Sequence, residues 1–144
     1  MTGQVKFKVL PDIKLTLIYY EGMINLPMVK QHLFKMGSHK DYDPSYDAIT
    51  DFGHSVMEVT TEEIKEAAEF VKNSKPLLGK RKQAFIFRTA EQQVISSLFS
   101  MLSGDLPVTF NVVSTLREAK IYVGVKTEHY NKVQQVFSEL SSGK

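Results

Sequence analysis

A chain of 144 residues is long enough to bury a core of its own and short enough to be one domain, 1–144. It has no cysteine, which excludes disulfides, thiolate metal sites and thiol nucleophiles, and its 18 basic and 16 acidic residues leave a net charge of +2, too balanced for a protein whose main partner is nucleic acid. No apolar run approaches the ~18 residues needed to span a bilayer, and Met1-Thr2-Gly3-Gln4-Val5-Lys6 lacks the apolar core of a secretion signal, so the expectation is a soluble, cytoplasmic protein.

Val5 to Leu10 alternates Val5, Phe7 and Val9 with Lys6 and Lys8, the pattern of a half-buried strand at a sheet edge. Pro11-Asp12 signals a turn, and Ile13 to Tyr20, rich in β-branched and aromatic residues, is expected to return as an antiparallel partner. Glu21-Gly22 breaks that run. Asn25 can cap a helix with Pro27 in its first turn; Leu26, Val29, Leu33 and Met36 share a face, and Gly37 ends it. A polar stretch, Ser38 to Tyr46, leads to a third strand over Asp47 to Phe52.

Thr60 and Glu63 form a capping box, in which hydroxyl and carboxylate each take a free backbone amide; Ile64, Ala67, Ala68 and Val71 are the buried stripe of the helix that follows. Lys72 to Lys82 reads as a loop containing Pro76 and Gly79, and Ala84 to Phe87 as a short strand. Thr89 with Gln92 repeats the capping pattern, and Val94, Leu98, Met101 and Leu102 are expected to be the buried face up to Gly104. Pro107 precedes a strand over Val108 to Val113. Thr115 with Glu118 opens a short helix carrying Ala119, Tyr122 and Val123, which Gly124 stops. A last helix from about Glu128 to Ser141 has the stripe Tyr130, Val133, Val136, Phe137 and Leu140.

The order is β-β-α-β-α-β-α-β-α with a helix added at the end: an α/β mixed sheet whose antiparallel N-terminal hairpin is followed by parallel strand–helix units. Ligands of such sheets sit at the carboxyl ends of the strands, which draws attention to Asp51, Phe52, Gly53 and His54. An acid and a histidine three residues apart can share a proton, the basis for an alternative reading as a small hydrolase or isomerase using Asp51 and His54. Arg88 and Ser114 stand before helix N-termini, where backbone amides favour anions. Neither loop has the glycines that bring a phosphate to the backbone, so no nucleotide site is read. No catalytic residue is assigned, and no cofactor is expected.

Asp41, Asp43, Ser45 and Asp47 begin like a calcium loop, but Tyr46 and Phe52 stand where it needs glycine and a carboxylate, so a structural turn is expected. The histidines at 32, 39, 54 and 129 have no metal-ligand spacing; those at 32 and 129 are expected on helix surfaces. Lys72, Lys75, Lys80, Arg81 and Lys82 form a basic run, read as a solvated loop in preference to a contact for anionic headgroups tipped by Leu77-Leu78. Nine phenylalanines, six tyrosines and six methionines are more suggestive: Ile95, Phe99 and Phe110 extend beyond a minimal core. An ordinary aromatic core is the default for apolar residues at helix spacing; the two further readings are a cavity for an apolar ligand and a self-association surface, the latter through the C-terminal helix of a homodimer.

Tyr42, Pro44 and Tyr46 before the strand ending at Asp51, Thr60-Thr61-Glu62-Glu63 at one helix start, and Thr115-Leu116-Arg117-Glu118-Ala119 with Tyr122-Val123 at another carry a resemblance over roughly Val9 to Val123. The layout resembles the SpoIIAA-like fold of STAS and SEC14-type domains, most closely small bacterial proteins described as STAS/SEC14-like. The resemblance implies a non-enzymatic binding or regulatory module, acting through a protein partner or a small apolar ligand. The serine that STAS antagonists phosphorylate has no counterpart, since the matching stretch is Val59-Thr60-Thr61-Glu62, and no phosphorylation site is carried over.

Overall fold

A computed structural model describes residues 3–142. Among them the chain forms strands β1 (Gln4–Leu10), β2 (Leu15–Glu21), β3 (Met23–Asn25), β4 (Asp47–Asp51), β5 (Val56–Glu58), β6 (Arg81–Ile86) and β7 (Val108–Val113). The helices are α1 (Leu26–Gly37), α2 (Thr61–Lys72), α3 (Ala90–Leu102), α4 (Leu116–Val123) and α5 (Tyr130–Ser141). The main sheet runs β1-β2-β4-β6-β7, with β1 antiparallel to β2 and each remaining pair parallel. The expected hairpin and parallel units are therefore present, as is the added C-terminal helix.

The hairpin turns through a single 3-10 turn at Pro11–Ile13, closed by Lys14 in the left-handed region at φ 53°. After β2, each new parallel strand docks outside the last. With crossovers of one hand and steps in one direction, the connecting helices must all land on the same face. α1, α2 and α3 do so, packing beside one another over Ile18, Tyr20, Phe85 and Val108. α4 and α5 cover the other face, where Leu15, Leu17, Ile49 and Ala84 meet Ala119, Val133 and Phe137. The strand period of two sorts these sets: Thr16, Ile18 and Tyr20 face α1–α3, and Leu15, Leu17 and Tyr19 face α4 and α5.

The caps behave as the sequence demands at α2, where Thr60 Oγ1 accepts from the Glu63 amide at 3.1 Å and Glu63 Oε1 from the Thr60 amide at 2.9 Å. Gly124 stops α4 in the left-handed conformation, φ 77°. Three expectations are corrected, and one element is additional: β5, after Asp51, pairs in parallel with β3 as a separate two-stranded sheet. α3 is rotated, so that Gln92 and Ser96 are buried while Val94 and Met101 are 65% and 77% exposed. His32 lies inside, not on the surface, only 5% exposed. The C-terminal stripe is not free for a second copy: Val133, Val136 and Phe137 are buried on the chain's own sheet, with Leu140 packed beside them.

Candidate functional site

The carboxyl ends of β4, β6 and β7 bring Asp51, Arg88 and Ser114 to one edge of the sheet. Asp51 is 5% exposed and finds its partner in Arg88: Nη2 donates to Oδ2 at 2.8 Å and Nε to Oδ1 at 3.2 Å. The Gly53 amide adds a bond to Oδ1 at 2.8 Å. The side-chain bond to Asp51 is the main cause that raises Arg88 above its ordinary pKa. Burial first, and the Asp51 charge second, push the Tyr19 phenol up.

Gln92 closes this edge from α3. Its Oε1 accepts from the Arg88 amide at 2.7 Å; its Nε2 donates to the carbonyl of Ser55 at 2.9 Å and to that of Gly53 at 3.2 Å. Capping explains half of the Thr89–Gln92 signal, since Thr89 Oγ1 accepts from the Gln92 amide, but the Gln92 side chain turns inward and tethers the loop. Gly53 is required here, because φ is +51° and an added Cβ would stand 2.7 Å from Tyr19 Oη.

These groups are spent on one another. Phe52 is buried in the core, and Ser114 lies apart, its hydroxyl donating to Glu118 Oε1 at 3.1 Å. His54 is exposed and shares no hydrogen bond with Asp51 among the described residues. The geometry thus corrects the expected Asp51–His54 pairing: Arg88 holds the carboxylate that a general base would need free. At the second loop expected to be structural, Asp43 Oδ1 accepts from the amide and hydroxyl of Ser45, and Asp47 from the Lys82 amide. No cluster of three potential metal ligands occurs among the described residues.

The opposite situation holds inside the layer between the sheet and α1–α3, where a chamber of about 100 Å³ is lined mostly by apolar side chains. One wall is aromatic. Phe52, Phe85 and Phe110 stack in sequence across β4, β6 and β7, with centroids 5.6 Å apart at each step, and Phe99 of α3 meets two of them edge-on. Thr16, Ala48 and Gln83 lie in register on the floor, so the small Ala48 leaves space between longer neighbours. Two lining residues carry buried polar atoms without partners, Thr16 Oγ1 and His32 Nδ1. Burial lowers the His32 pKa to about 4, so the imidazole is neutral at pH 7.

Arg81, at the amino end of β6, also lines this chamber. Its Nη1 donates to the carbonyls of Pro44 and Leu77, each at 3.0 Å, and Nε donates to Gln83 Oε1 at 3.2 Å. It is therefore not part of a solvated basic run; Lys72, by contrast, is partly exposed and pairs with Asp105 at 2.5 Å. Ile95, Phe99 and Phe110, singled out in the sequence as extending beyond a minimal core, line this chamber, whereas Thr16, His32 and Arg81 were missed. The signal was phase: Thr16 alternates with Leu15 and Leu17, Arg81 shares a face with Gln83 and Phe85, and His32 falls in the stripe of Val29, Leu33 and Met36.

No helix among the described residues is long and apolar enough to cross a membrane. No family model and no curated relative matches the sequence. Among solved structures the chain is similar to an uncharacterised protein from the DUF3478 family with a SpoIIAA-like fold, from Shewanella loihica. The two share 12% identity over 85% of this chain and 96% of that one, with a TM-score of 0.57. At that identity the likeness is one of architecture, and it agrees with the strand order, the hairpin and the helix layers described above: the chain has the SpoIIAA-like fold.

Proposed function

We propose that this protein is a non-enzymatic binding module that takes a small, largely apolar ligand in the chamber between the sheet and α1–α3. One observation carries the reading. A space of about 100 Å³ is left open between the sheet and α1–α3, and two of the residues that line it, Thr16 and His32, carry buried polar atoms with no partner. A void in a packed core forfeits contacts, and an unpartnered buried donor or acceptor costs about 1–3 kcal/mol. A ligand offsets both costs at once. At the carboxyl edge, by contrast, the Asp51 carboxylate is held by Arg88 and the Gly53 amide, and Gln92 is spent on the Arg88 amide and the loop carbonyls.

The size sets the ligand. An apolar cavity of about 150 Å³ accommodates benzene, so this one suits a molecule of about four to six heavy atoms unless the helices yield. The test is a methyl NMR titration of the protein with a panel of small branched alcohols, acids and amides. Saturable shifts are expected at Met36, Met57 and Ile64, which line the space or pack against it, and not at Val133 on the opposite layer. A panel in which no compound moves those chamber methyls, or moves only the exposed Met101, defeats the reading.

A further inference from the structure

The chamber has two unlike ends. At its amino-terminal end stands the guanidinium of Arg81, half-buried, with only neutral partners: the carbonyls of Pro44, Leu77 and Gly79 on Nη1, and the amide oxygen of Gln83 on Nε. Nη2 makes no hydrogen bond among the described residues, and no carboxylate lies within ion-pair distance. No acid at this end hydrogen-bonds the guanidinium, although the Asp47 charge reaches it. Asp47 accepts from the Lys82 amide, and Asp43 accepts from Ser45. Glu63 also lines the chamber, but α2 begins beyond the carboxyl end of β4, so it stands at the far end with its carboxylate on the Thr60 amide.

An arginine taken partly out of water without a counter-ion is unusual, because the charge is normally paired when it is desolvated. Desolvation is the leading influence on Arg81 and lowers its pKa, with Tyr42 and Asp47 opposing it. The five donors of a guanidinium form a planar fork that matches a carboxylate; here Nη2 makes no hydrogen bond among the described residues, and Arg81 shares the chamber lining with Phe85 and Phe110. The two halves of the environment describe one class of molecule.

Resting on the apolar-ligand reading above, we infer that the ligand is a small monocarboxylic acid with a branched or flat apolar body, its carboxylate accepting from Arg81 Nη2 and its body against the Phe85–Phe110 wall. The volume admits an acid of the size of isobutyrate. Phosphate esters and dicarboxylates are disfavoured, since the single free arm of Arg81 supplies one anion contact and the rest of the wall is apolar.

The test compares isobutyrate with isobutyramide, which has the same skeleton without the charge, by methyl NMR titration of the intact wild-type protein. The acid is expected to saturate the chamber methyls at a concentration at least tenfold lower than the amide. Equal affinity for the two overturns the assignment of the anion while leaving an apolar-ligand module standing; no chamber shift with any compound of the panel overturns both. Arg81→Met is expected to remove the tenfold preference and Arg81→Lys to keep part of it, and a preference surviving Arg81→Met rejects the role of this residue. Because Nη1 ties three carbonyls, folding of each variant is read from its amide spectrum, and the wild-type acid–amide comparison decides the matter even where a variant does not fold.

Discussion

Arg88 and Asp51 meet as a two-point pair across the carboxyl edge of the sheet, with the acid buried and the arginine half in water. The arrangement braces the end of β4 and, through the Gly53 amide, the turn that follows. Replacing Arg88 by methionine leaves a buried carboxylate with the Gly53 amide as its remaining described partner. A loss of about 1–3 kcal/mol in urea unfolding is expected, with faster amide exchange at Gly53 and Ser55. An unfolding curve identical to wild type would mean that water replaces the arginine at no cost.

His32 makes stability depend on pH in a defined direction. Its pKa is about 4 in the folded protein and about 6.5 when unfolded, so between those values the unfolded chain binds the extra proton. The contribution is intact above pH 6.5 and is lost as pH falls toward 4. At pH 5 the wild-type protein is expected to be about 2 kcal/mol less stable than at pH 8 through this residue alone. His32→Phe, which keeps the ring contacts with Phe7 and Tyr20, should flatten that part of the profile. A variant whose pH profile superimposes on wild type would place the titration elsewhere.

Gly53→Ala puts a Cβ 2.7 Å from both Tyr19 Oη and the Tyr20 carbonyl, on a backbone with φ +51°. A loss of at least ~2 kcal/mol is expected, measured as a lowered urea midpoint with an unchanged denaturant slope. A midpoint within error of wild type would mean that the turn re-forms with a different backbone.

Thr16→Val should act in the other direction. The hydroxyl is buried without a partner, and the methyl that replaces it has nearly the same shape. A gain of about 0.5–1.5 kcal/mol in the ligand-free protein is expected by thermal or urea unfolding. Destabilisation instead would show that the hydroxyl has a partner in solution.

How far the residues disclosed all this varies with how local the cause is. The Thr60–Glu63 box and the stripe Ile64, Ala67, Ala68 and Val71 were readable because cap and face lie within a few turns of one helix. The strands over Asp47–Asp51 and Val108–Val113 were readable from their flanking breaks. β3 and β5 were not: three residues each, with exposed Val56 and Glu58 either side of buried Met57, they exist because β2 and β4 deliver them side by side. α3 misled for a related reason. One inward position holds Gln92 because carbonyls of the loop after β4 need a donor, a demand from 37 residues upstream, while the inward hydroxyl of Ser96 is met by the carbonyl of Gln92 in its own helix. The chamber is hardest of all, being a property of the space left over, although the polar residues at inward phases were visible in the chain.

The strand order has a consequence for how the molecule comes into being. Each parallel strand is laid next to its immediate predecessor, so during synthesis every newly emerged segment finds its docking edge already present. The exception is α5, which returns from β7 past the two intervening strands β6 and β4 to rest on β1 and β2. Until it arrives, Leu15, Leu17 and Tyr19 have a bare oily flank, and a ribosome stalled before Tyr130 would hold a nascent chain inviting chaperones.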